Sequence, residues 1–123
     1  MNSNKKYDLE DRLIEFAISV IGITENLHNT RAGNHVAGQL VRSGTSPALL
    51  YGEAQSAESR NDSIHKMKVC LKELRETRIW LLIVQRKSLT KAAEQLGAVI
   101  GACNELIAIF VASLGIAQRN KGK

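Results

Sequence analysis

Two acid-x-x-His spacings, Glu25 with His28 and Asp62 with His65, are the nearest this sequence comes to a metal site. On a helix, residues three apart share a face, and in di-iron bundles two such pairs converge on one centre. Here one pair ends the first amphipathic stretch and the other begins the third. In a bundle of alternating directions they stand about a bundle length apart. Simpler roles suffice: Asp62 in the first turn of its helix, and His28 close to a helix C-terminus. Glu53 and Glu58 suggest an acid and base pair, yet nothing around them would separate two pKa values, so surface or interhelical pairing is their expected use. The sequence has no nucleophile elbow, P-loop, dinucleotide fingerprint or zinc spacing. The expectation is a protein with no enzymatic activity, no metal and no cofactor.

The charged residues carry a stronger pattern. Between Arg60 and Lys91 nine bases face three acids, and Lys68, Lys72, Arg75 and Arg78 recur at helical spacing. Together with Arg60 and Lys66 they form a candidate nucleic-acid-binding stripe. Two uses are open: a solvated face with pairs such as Lys72 and Glu76 at i,i+4, or a surface that neutralises phosphates. The sequence pI of about 9.5 suits the second use. Only Trp80 interleaves these bases, which gives little support to a reading of single strands by stacking on aromatics; binding through them would be salt-sensitive and weakly sequence-specific. Between Asp8 and Glu25, by contrast, five acids face Arg12 alone.

These residues must be held by helices. The 123 residues fit one domain, 1–123, with short disordered tails expected at about 1–6 and 119–123. Proline occurs once, at Pro47, and long stretches without turn residues exclude a many-stranded sandwich or barrel. After Asp8, Leu9, Leu13, Phe16, Val20, Ile23 and Leu27 form one helical stripe over about 8–27, with Ile14, Ile18 and Ile21 beside it. Val36, Leu40, Val41, Tyr51 and Ala54 outline a second helix over about 31–56. Gly44 and Pro47 predict a kink or break within it, with hydroxyls of Ser43, Thr45 and Ser46 available to the freed backbone, or Ser46 capping a restart. Ser59 and Asp62 read as a capping box for a third helix carrying Ile64, Met67, Leu71, Leu74 and Leu81 to about Arg86. Ser88 or Thr90 caps a fourth, with Leu89, Ala92, Leu96, Val99, Cys103, Leu106 and Phe110 on one stripe.

Short connections between such helices predict an all-α, antiparallel up-down-up-down four-helix bundle, kinked in its second helix near Pro47. Cys70 and Cys103 fall in helical patterns and read as reduced core thiols. The opening MNSNKKYDLEDRL lacks the apolar run of a secretory signal, so a cytoplasmic protein is expected. Leu96 to Ala117 is apolar enough to suggest a membrane, but Asn104 and Glu105 lie at its centre, so no membrane span is expected. The fourth helix is also apolar on a neighbouring face, with Ala93, Ile100, Ile107, Val111 and Leu114. Gly97 and Gly101 on it admit a close backbone approach, either inside the bundle or between subunits. The first and fourth helices together carry more apolar surface than one bundle core can cover, which predicts a homo-oligomer.

The string TRAGNHVAGQLVRSGTSPALLYGEAQSAES, followed by IHKMKVCLKELRETRIWL, resembles the bacterial four-helix-bundle proteins encoded within intervening sequences of 23S rRNA genes. The resemblance runs from about Tyr7 to Arg119. Its most specific parts are Arg42-Ser43-Gly44-Thr45-Ser46, Tyr51-x-Glu53-Ala54, Ala57-Glu58-Ser59 and Lys72-Glu73-x-Arg75-Glu76-Thr77. It implies a left-handed bundle forming a homopentamer with no established enzymatic activity. The accessory variability determinant proteins of diversity-generating retroelements are similar in fold and form a basic pentameric barrel that engages nucleic acid and a reverse transcriptase. By that analogy RNA or DNA, and a reverse transcriptase or other protein, are candidate partners. Leu50 departs from the family, which often has asparagine there. Tyr51, Glu53, Glu73 and Thr77 read either as an interhelical hydrogen-bond set that fixes register or as a ligand site. Two functions are therefore carried forward: an RNA-associated oligomer acting through the basic stripe, and a protein-docking scaffold with the acidic first helix as a possible face.

Overall fold

The computed structural model describes residues 8–121, which form four helices and, among the described residues, no strand: α1 Leu9–Glu25, α2 Arg31–Gln55, α3 Arg60–Lys87 and α4 Ala93–Lys121. The tail expected at 1–6 lies outside the described residues. At the other end α4 continues to Lys121, past the point where the second tail was expected to begin.

Each start is set by a side-chain oxygen that takes up a backbone N–H left over by the first turn. Asp8 accepts from the amide of Asp11, Thr30 from Gly33 and Ser59 from Asp62, each at 3.0 Å. Ser88 does not open α4. It closes α3 in the left-handed region at φ 56°, ψ 50°, its N–H reaching the carbonyls of Gln85 and Val84. Thr90 serves the next helix instead, accepting from the amide of Ala92 at 3.1 Å. Pro47 lies inside an unbroken α2, so no restart occurs at Ser46. The Thr45 hydroxyl donates to the Val41 carbonyl, and that of Ser43 accepts from Thr77.

The core forms where the apolar stripes meet. Leu13, Val20, Ile23, Leu40, Leu74, Leu81, Leu106 and Phe110 are buried almost completely. Truncating one such leucine to alanine removes about 2 to 5 kcal/mol. Each helix packs on the next and α1 on α4, the last pairing being the sparsest. Along α2 and α3 the partners run in opposing order: Ser43 meets Thr77, Pro47 meets Cys70, and Glu53 meets Lys66. Gly44 lets α1 approach α2, since a Cβ there would lie 2.6 Å from Val20 Cγ1. Gly33 is as constrained, with the His28 carbonyl oxygen 2.1 Å from where its Cβ would sit.

Two connections join at one end of the bundle. Leu27 and Thr90 form an isolated bridge, the His28 amide donates to the Leu89 carbonyl at 2.9 Å, and the Thr90 hydroxyl donates to the Asn26 carbonyl at 2.9 Å.

Not all apolar surface is inside. Ile14, Ile18 and Ile21 remain 41%, 55% and 38% exposed on α1, and Val111 and Ile116 are exposed on α4. Gly97 and Gly101 face away from the bundle, with no heavy atom within 4 Å of a Cβ built on either. Of the two uses open to these glycines, close packing inside the bundle is thereby removed. The stretch Ala93–Asn120 is, by length and hydropathy alone, long and apolar enough to cross a membrane, and 28% of its most apolar 18-residue window is buried inside the bundle.

Candidate nucleic-acid interface

The outward ridge of α3 follows from its period: with Leu74, Thr77, Leu81 and Val84 turned inward, Lys68, Lys72 and Arg75 fall on the opposite side and are exposed. Among the described residues none of the three enters an ion pair, and they succeed one another at steps of four and three residues, about 4.5 to 6 Å apart along the axis. The ridge then turns apolar at Ile79 and Ile83, both exposed, before Arg86 and Lys87 restore positive charge at its end.

The other bases of the stripe are placed differently. Arg60 is exposed at the first position of α3. Lys66 turns toward α2 and binds the Glu53 carboxylate at 2.8 Å, a contact that raises its pKa above the ordinary lysine value. Arg78 turns toward α4, its Nε donating to Asn104 Oδ1 at 2.9 Å. The stripe is therefore divided: Lys68, Lys72 and Arg75 face solvent, while Lys66 and Arg78 flank them as links to neighbouring helices. The spacing of the bases could not show this division, because it depends on which residues α2 and α4 bring alongside. Asn104 was noticeable only as a polar residue in an apolar helix.

Several of the residues most specific to the family resemblance meet at the α2–α3 seam, and others face α1 and α4. Arg42 binds Glu73 at 3.0 Å and also Glu76. Thr77 is fully buried, donates to Ser43 Oγ at 2.9 Å and lies 2.8 Å from the Glu73 carbonyl. Gly44 admits Val20, Thr45 bonds back to Val41, and Ser46 is half-buried on the same helix. Tyr51 meets Phe110 edge-on at 6.2 Å between ring centroids, and desolvation raises its hydroxyl above the usual pKa. This geometry spends Arg42, Ser43, Glu53, Glu73 and Thr77 on contacts between helices.

Cys70 and Cys103 are fully buried, their thiols directed at the carbonyls of Pro47 and Leu74. Burial pushes both up to about 12, so they stay protonated at neutral pH and are poor nucleophiles. Among the described residues no three His, Cys, Asp or Glu side chains come together as a metal site, and the pairs at Glu25 and Asp62 do not meet in one.

A four-helix bundle with a polar-laced α2–α3 seam and an exposed basic ridge is thus the class that fold and surface define. Residues 5–112 match the model of the 23S rRNA-intervening sequence protein family, and the chain belongs to that family. It is also similar to a solved structure of a protein of unknown function from the S23 ribosomal protein family of Bacteroides thetaiotaomicron VPI-5482. The two are 30% identical, with a TM-score of 0.78 over 85% of this chain and 96% of that one. No curated protein matches the chain. Neither the family description nor that relative's name indicates a catalytic activity.

Proposed function

We propose that this chain is a non-enzymatic, homo-oligomeric accessory protein of the cytoplasm that binds RNA or DNA through the outward ridge of α3. The observation that carries the reading is the row of Lys68, Lys72 and Arg75, solvent-facing and without ion-pair partners among the described residues. Arg60, Arg86 and Lys87 extend the positive surface at its two ends. Three phosphates neutralised per protomer give a slope of log affinity against log salt of about −2 on single strands and about −3 on duplex. An oligomer multiplies the contacts on one nucleic acid strand, which offsets weak binding by a single ridge.

Self-association is supported by the exposed isoleucines of α1 and the outward glycines of α4, apolar and small surfaces that copies of the chain would cover. The family resemblance adds the pentamer as the expected number and a reverse transcriptase as a candidate protein partner. In this reading α4 is a bundle helix, its Leu96, Leu106 and Phe110 face in the core and Glu105 paired with Arg12, so no membrane is involved.

The test is fluorescence anisotropy of a labelled RNA titrated with the whole chain at several salt concentrations. Reversing Lys68, Lys72 and Arg75 to glutamate abolishes binding while the helical circular dichroism stays intact. Binding unchanged by that triple substitution overturns the reading. A second reading, a scaffold that docks a protein, is favoured by Ile14, Ile18 and Ile21, which lie among acids on α1. A partner retained after nuclease treatment of a lysate, and lost on Ile18→Glu, would support it.

A further inference from the structure

Beside the basic ridge the surface dips into a groove between α3 and α4, about 310 Å³ in volume and lined by Arg75, Arg78, Ile79, Asn104 and Ile107. We propose that this groove receives one unstacked base of the nucleic acid whose phosphates lie along Lys68, Lys72 and Arg75. The inference rests on the ridge reading above and adds a contact of a different kind to it.

Three features argue for a base. The volume falls at the low end of small-molecule sites, about 300 to 1,000 Å³, which suits one planar ring and excludes a helix or a strand of a partner. The walls pair apolar side chains with guanidinium groups: Ile79 is 53% exposed, Ile107 is half-buried, and Arg75 is exposed beside them. Arginine guanidinium planes are among the surfaces on which unstacked bases of single-stranded RNA lie, and here the two isoleucines line the same groove. The third feature is hydrogen-bond polarity. Arg78 Nε donates to Asn104 Oδ1 at 2.9 Å, which occupies one of the two lone pairs of that oxygen and leaves the carboxamide NH₂ group and the terminal nitrogens of Arg78 as donors. The groove therefore offers more donors than acceptors, matching the carbonyl-bearing edges of uracil and guanine better than the amino-bearing edge of adenine.

The position agrees with the phosphate path. Lys72 and Ile79 are seven residues apart on α3, about 10 Å along the axis, so the groove adjoins the end of the ridge. An acidic peptide would satisfy Arg75 and Arg78 but has no ring to lay against Ile79 and Ile107.

The double variant Ile79→Ala/Asn104→Ala tests the proposal, since both positions are exposed and alanine is a strong helix former. Binding of the full chain to a uridine-rich 20-mer and to a duplex of the same length is measured by anisotropy across a salt series. The expected result is a roughly ten-fold loss on the single strand, no change on the duplex, and an unchanged salt slope, because a stacked base releases no counterions. If both ligands bind the variant as they bind the parent, while reversal of Lys68, Lys72 and Arg75 abolishes binding, the base site is overturned and the ridge reading stands. If neither set of changes affects binding, or if the parent binds neither ligand, both are overturned. A polyglutamate peptide of equal charge that competes as well as the single strand, and is equally weakened by the variant, overturns the base assignment alone.

Discussion

The α2–α3 seam and the α1–α4 seam join helices in the same bundle by different means. Between α2 and α3 polar groups interlock: buried Ser43 meets buried Thr77, and the half-exposed Arg42 holds both the buried Glu73 and the partly exposed Glu76. Between α1 and α4 there is an open groove of about 430 Å³, with Phe16, Ala102 and Leu106 inside and Asp8, Asp11 and Glu15 around it. One exposed pair, Arg12 with Glu105 at 2.8 Å, crosses that seam. A buried polar contact is satisfied in only one alignment, so the first seam fixes which turn of α3 lies against which turn of α2. The second seam tolerates sliding and leaves apolar surface for something outside the subunit to cover.

Four variants grade this contrast. Arg42→Ala has the largest expected effect, about 2 kcal/mol of lost stability in urea unfolding, because it leaves the mostly buried Glu73 carboxylate without its partner, while solvent around the half-exposed Arg42 screens the pair and keeps the loss below that of a fully buried one. Arg42→Met combined with Glu73→Leu sharpens the point: removing both charges costs less than removing one, and a double variant as unstable as Arg42→Ala would contradict it. Thr77→Val comes next, at about 1 to 2 kcal/mol, since Ser43 Oγ loses a buried donor while side-chain volume is kept. Arg12→Ala is the smallest, within about 0.5 kcal/mol, because both partners are in water. An Arg12→Ala loss as large as that of Arg42→Ala would erase the distinction between the seams.

Much of the bundle was legible from periodicity alone. The stripes Leu13, Phe16, Val20, Ile23 and Leu96, Val99, Cys103, Leu106, Phe110 became core, because the 3.6-residue period leaves one face for water and one for neighbours. Asp8 and Ser59 were readable as caps because a cap is a local event. Ser88 was misread for the complementary reason. Serine favours N-caps, yet the amide of Leu89 bonds the Val84 carbonyl at 3.0 Å and draws Ser88 into a left-handed turn that ends α3. At Pro47 the local rule allowed a break, but packing of α1 at Gly44 and the Cys70 thiol at the Pro47 carbonyl hold that turn from two sides, and α2 stays continuous. The direction of Gly97 and Gly101 was undetermined because the same spacing serves inward and outward packing. The division of the basic stripe was equally hidden: Lys66 and Arg78 leave it only because Glu53 and Asn104 arrive from other helices.

The bridge between Leu27 and Thr90 has a kinetic meaning. Asn26 and Thr90 are 64 positions apart in sequence, so the loop that their contact closes contains α2 and α3. Closing so long a loop is favourable only after the helices between have docked, which makes this junction one of the last parts of the molecule to form. Thr90→Val should then accelerate unfolding in stopped-flow measurements and leave the refolding rate almost unchanged. The end of the bundle that ties its two halves together would be the place where the native chain first comes apart.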